Sequence, residues 1–190
     1  MNLPNKITIA RAAAVPIIVI LMYIPSLSAQ WWAAAVFVAA SLSDLADGYI
    51  ARKRKLVTDF GKFADPIADK LLVTASMVVL VGKGHMAAWA VVAFITREFI
   101  ISAYRLAAAS KGVVIAADKL GKYKTLAQAV AVPMLTLLKP AGNSAINWGA
   151  FGEAASDIVT YVALALSVAS CVNYIYANRK TFAREMRNDR

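Results

Sequence analysis

Six mostly apolar stretches, separated by short polar or basic connections, restrict this 190-residue chain to a small set of folds. They run over about residues 12–24, 31–43, 66–81, 86–105, 125–138 and 153–176. Crossing the hydrocarbon layer of a bilayer takes about 20 residues of helix, and most of these stretches reach that length with the turn on either side. Inside lipid each backbone N–H and C=O must be satisfied within its own segment, which makes such segments helices. Composition agrees, because 60% hydrophobic residues and a mean hydropathy of +0.59 exceed the roughly 45–50% apolar content of ordinary soluble domains. The expectation is an all-α, polytopic membrane protein with six transmembrane helices in one domain, residues 1–190.

The ends of these stretches carry the charge. All but Lys83 and Lys139 of the 21 lysines and arginines fall on the side that also holds both chain termini. The positive-inside rule places that side in the cytoplasm, and Trp31, Trp32, Trp89 and Trp148 fall at the opposite interface as an aromatic belt. The net charge of +10 therefore reads as a topology signal in the cytoplasmic membrane, and no nucleic-acid partner is expected. Residues 2–11 place Pro4 where a first helical turn tolerates it, and Asn5, Thr8 and Arg11 follow at three-residue steps. This predicts a short N-terminal interfacial helix whose polar stripe faces either water or a polar cavity. Ser26-Leu27-Ser28 offers a possible signal-peptide cleavage point, but Arg11 and the long apolar run argue for a retained span. The single cysteine, Cys171, excludes an intrachain disulfide. His85, the single histidine, falls in a short outer turn, where a metal or acid–base role is not expected.

One acidic constellation stands against this apolar background. Asp44 and Asp47 lie three residues apart, and Asp65 and Asp69 lie four apart, so in helices each pair projects from one face. Carboxylates beside apolar segments are costly, at about 2.5–3.5 kcal/mol each, and something positive must hold them together. Oxygen-only ligands on a helical frame suit Mg²⁺ or Mn²⁺, and two pairs suit two ions, an arrangement that serves phosphoryl transfer. Asp65-Pro66 also resembles a helix start, with Asp65 as a cap. Arg97, Arg105, Lys122 and Lys124 collect at the same membrane face and suit a second phosphate. Arg97 and Glu98 are neighbours in sequence and are expected to point to different sides, Glu98 in a structural pair. The Gly121–Thr125 run lacks the spacing of a P-loop.

The stretch from Asp44 to Asp69 matches D-x-x-D-G-x-x-A-R-x8-G-x3-D-x3-D at every specified position, and on these residues the chain resembles the CDP-alcohol phosphotransferases. The resemblance implies Asp44, Asp47, Asp65 and Asp69 as metal ligands and Asp69 as general base. It implies Gly48, Arg52 and Gly61 against the CDP portion, joined by Asn5 and Thr8 from the N-terminal helix. Further likeness in Asn2–Thr8, Arg97-Glu98-Phe99, Ala107–Ala117 and Gly121–Thr125 points to the branch using CDP-diacylglycerol as donor and glycerol 3-phosphate as acceptor. Arg97, Arg105, Lys122, Lys124 and Thr125 would then hold the acceptor phosphate. A homodimer in the lipid bilayer is implied as well. Inositol phosphate or serine as acceptor, a prenyl-diphosphate transferase and a cation transporter are the competing readings.

Overall fold

The computed structural model describes the backbone of residues 3–54, 59–110, 119–138 and 149–188, and side chains within 7–43, 67–68, 70–109, 120–138 and 149–179. The described residues form six helices and no strand: α1 (Leu3–Tyr23), α2 (Leu27–Arg54), α3 (Asp59–Gly82), α4 (Ala88–Ser110), α5 (Lys119–Leu138) and α6 (Gly149–Asn188). The all-α expectation is met. Helix neighbours close a ring in the order α1, α2, α5, α6, α4, α3, and α3 also touches α5 and α2 across it.

Several boundaries differ from those read in the sequence. The expected interfacial helix and the first apolar stretch are one continuous helix, α1, because Ala10–Ala14 is a run of strong helix formers that leaves no place for a break. The third helix begins at Asp59, ahead of Asp65-Pro66, so Asp65 is not an N-cap. Pro66 then lies inside α3, where it offers no N–H to the carbonyl of Lys62. The basic run 119–124, read as a connection, is the first turn and more of α5. The tail after Tyr176 continues α6, whose 40 residues extend about 60 Å at the α-helical rise.

The interior is built from Ile18, Met22, Phe37, Leu72, Met77, Leu80, Phe94, Val132 and Leu135, all almost fully buried. The outward faces carry Ile20, Trp32, Val92, Phe99, Leu106, Leu126, Phe151, Ile158 and Val172, each more than half exposed. Polar groups turn inward instead. Gln30, Ser76, Gln128, Thr136, Ser156, Thr160, Ser167 and Ser170 are buried, and several hydroxyls donate back to their own helix: Ser76 to Leu72 O, Thr136 to Val132 O, Ser156 to Gly152 O and Thr160 to Ser156 O. That pattern satisfies a hydroxyl without any outside partner. Among the described residues, Gly149–Arg179 is long and apolar enough to cross a membrane by itself, and Ile7–Tyr23, Leu27–Ser43 and Lys70–Gly82 are shorter apolar helices.

At the end of α3 away from the acidic motif, Gly84 N–H bonds to Val81 O (2.9 Å) and His85 N–H to Leu80 O (2.8 Å). This pair is a Schellman cap with Gly84 at the left-handed position, φ +72°. Lys83 donates from Nζ to Met22 O at 2.7 Å, closing the end of α1, and burial there pushes its ammonium below the ordinary lysine value. A methyl group at Gly84 would meet nothing within 4 Å, so Gly84→Ala meets only the backbone penalty. We expect a loss of about 1 kcal/mol, read as a lower thermal midpoint in detergent micelles, with Gly84→Asn falling in between.

Candidate active site

Helix α2 runs unbroken through Asp44, Asp47, Gly48 and Arg52, and α3 runs through Gly61, Asp65 and Asp69. Each acidic pair is therefore helical, as its spacing requires for a shared face. The side chains of Asn5, Asp44, Asp47, Arg52, Asp65 and Asp69 lie outside the described residues, as does the surrounding of Gly48 and Gly61. Their helices touch, and the donor set they carry is all carboxylate oxygen.

The described residues immediately below the motif form its support. Thr8 and Arg11 of α1 are both buried. Arg11 Nε donates to Ala40 O at 3.3 Å, and Ser43 Oγ donates to the same carbonyl at 2.8 Å. A buried guanidinium thus bonds to α2 one helical turn before Asp44. Arg11 was absent from the residues expected at the site, although its step from Thr8 places it on the same stripe.

On the other side, α3, α4, α5 and α6 meet at a charged cluster. Arg97 Nη1 lies 3.1 Å from Glu98 Oε1, and buried Lys124 of α5 pairs with that same oxygen. The expectation that Arg97 and Glu98 point apart is corrected here: both side chains are long enough to bend back across one helix surface to a shared partner. Arg97 Nη2 donates to Ser170 Oγ of α6 at 2.8 Å. A Cβ at Gly121 would sit 3.8 Å from both atoms of that bond, which puts the start of α5 against it. Lys70, the residue after Asp69, donates to Ser102 Oγ, and Ser102 donates to Glu98 O at 2.6 Å. A cavity of about 50 Å³ opens among Lys70, Thr74, Glu98, Lys124, Thr125 and Gln128, room for water rather than for a whole substrate.

The remaining expected cations are placed differently. Arg105 and Lys122 are exposed, while Thr125 is exposed and donates back to Gly121 O at 3.0 Å. Arg105 and Arg97 both lie within electrostatic range of Tyr174. That tyrosine is buried, packs edge-on against Tyr104 at 5.7 Å, and its hydroxyl has no hydrogen-bond partner among the described residues. Tyr104 donates to Asn178 O at 2.8 Å. By composition, the stretch that becomes α6 reads as a mostly apolar run. Its polar residues Ser167, Ser170, Tyr174 and Asn178 nevertheless recur at three- and four-residue steps, the signal of a stripe facing a polar interior.

Two helices carrying paired aspartates thus meet close to buried Lys124 and partly buried Arg97. The profile of the CDP-alcohol phosphatidyltransferase family matches residues 1–172, and the chain belongs to that family of enzymes. Among curated proteins it is similar to the CDP-diacylglycerol–glycerol-3-phosphate 3-phosphatidyltransferase of Bacillus subtilis, with 48% identity over 72% of this chain and 77% of the relative. The enzyme of the same name from Rickettsia bellii is 40% identical over 95% of this chain and 97% of its own length. That from Haemophilus influenzae is 35% identical over 92% and 91%.

Proposed function

We propose that this chain transfers the phosphatidyl group of CDP-diacylglycerol to glycerol 3-phosphate, yielding phosphatidylglycerol phosphate and CMP. The acceptor hydroxyl oxygen bonds to the phosphorus nearest the diacylglycerol, the bond from that phosphorus to the CMP oxygen breaks, and Asp69 takes the hydroxyl proton. Asp44, Asp47, Asp65 and Asp69 fit Mg²⁺ or Mn²⁺, two ions in this reading, because hard divalent cations favour carboxylate oxygen. Such ions, when bound, offset charge on the diphosphate. Gly48, Arg52 and Gly61, with Asn5 and Thr8, take the CDP portion, and buried Arg11 bonds to α2 one turn before Asp44. Arg97 and Lys124 take the acceptor phosphate, with Arg105 and Lys122 at its exposed rim.

The observation that carries the acceptor assignment is Lys124, buried and charged beside Arg97 and one helix away from the residue following Asp69. Glu98 supplies the anion that this buried cation needs, and the convergence of Arg97 and Lys124 on one carboxylate oxygen marks a position that suits a phosphate oxygen. An apolar groove of about 460 Å³ between α2 and α5, passing Trp31, Pro133, Leu126 and Leu42, supports a lipid donor, since it reaches the motif end of α2. Apolar outward faces with polar groups inside suit a bilayer, with the helices crossing it and the motif on the cytoplasmic side.

Purified protein given CDP-diacylglycerol and Mg²⁺ or Mn²⁺ should release CMP with glycerol 3-phosphate, and not with serine or inositol phosphate. The opposite preference overturns the acceptor. Arg97→Ala should raise the KM for glycerol 3-phosphate about tenfold and leave the donor KM unchanged.

A further inference from the structure

We propose that Glu98 is a specificity residue: its carboxylate occupies the place of the acceptor's phosphate in the resting enzyme and must be displaced for the acceptor to bind. The inference rests on the reading that Arg97 and Lys124 take that phosphate. A single oxygen, Oε1, serves both cations, at 3.1 Å from Arg97 Nη1 and in the ion pair with Lys124 Nζ. The Lys124 side chain is 3% exposed and that of Glu98 is 23% exposed, so the anion is the more accessible member of the pair. Arg97 is anchored from behind by Ser170, and the Glu98 backbone by Ser102, itself held by Lys70. The cations are therefore fixed by four helices, and one side chain can leave.

A phosphate dianion presents three oxygens to this fixed set, against one used by the carboxylate, and satisfies the donors more completely. Displaced but still ionised, Glu98 repels any anion at the site. Only an acceptor with further contacts to the enzyme overcomes that repulsion, while a bare inorganic anion, lacking them, is turned away. Glu98 thereby keeps Lys124 paired when substrate is absent and raises the selectivity for a phosphate carried on an alcohol.

Glu98→Gln tests this, since the amide keeps the shape and one acceptor oxygen for the two cations but removes the charge. Inorganic phosphate should inhibit the variant competitively against glycerol 3-phosphate with a Ki lowered about tenfold relative to wild type. The KM for glycerol 3-phosphate should fall by much less than the phosphate Ki, so that the ratio of the two shifts towards phosphate, and the KM for CDP-diacylglycerol should stay the same. If Glu98→Gln does not accumulate folded, Glu98→Asp carries the test: withdrawing the carboxylate by one methylene should lower the phosphate Ki about threefold. An unchanged or higher Ki in the folded variant overturns the role of Glu98 while Lys124→Met still raises the acceptor KM. If phosphate does not compete with the acceptor in wild type and Lys124→Met leaves the acceptor KM alone, the acceptor assignment itself falls, and Glu98 with it.

Discussion

Asp69→Asn should lower turnover by about 10³-fold, within the range for loss of a positioned general base, while CDP-diacylglycerol still binds. The amide preserves the size of the side chain and one oxygen, so a nucleotide pocket built on α2 and α3 keeps its shape, but it cannot accept the acceptor's proton. Radiolabelled CDP-diacylglycerol retained on the immobilised variant, set against CMP release over time, separates the two effects. Turnover within a few-fold of wild type would remove Asp69 from the proton-transfer role. Loss of binding together with turnover would make it a metal ligand only. Asp44→Asn should differ from Asp69→Asn in this respect, since no proton is assigned to it.

The largest stability effect should come from Phe94→Ala. Phe94 is 1% exposed, belongs to the core shared with Met77, Leu80 and Val132, and lines the small cavity with Lys124 and Glu98. Truncation should cost about 3 kcal/mol, the low end for Phe→Ala, because between apolar surfaces the loss is chiefly of van der Waals contact rather than of transfer from water. Denaturant unfolding in micelles would read it. The enlarged cavity lies under the Lys124–Glu98 pair, so the acceptor KM should rise in the same variant, and Phe94→Leu should recover most of both.

The acidic motif was legible in the sequence because its chemistry is local: three- and four-residue spacings place carboxylates on one helical face whatever the rest of the chain does. The same holds for the all-α architecture, which apolar runs of this length dictate. Helix ends were less legible. Asp65-Pro66 offers a good local start signal, yet Asp59 begins the helix, since a proline can be carried inside when neighbouring contacts compensate. Glu98 shows the limit most clearly. Adjacent residues on a helix diverge by about 100° at the backbone, and nothing in the order Arg97-Glu98 foretells that a lysine 26 positions later in the chain would draw the carboxylate round to it.

Residue order alone thus sets the helices, their polarity and the donor atoms offered by Asp44, Asp47, Asp65 and Asp69, for all of these depend on neighbours within one or two turns. Which cation meets which anion depends instead on contacts between helices far apart in the chain. Ser170 reaching Arg97 and Lys124 reaching Glu98 exist only because α4, α5 and α6 pack together, which brings charges from two segments and a hydroxyl from a third into one small space.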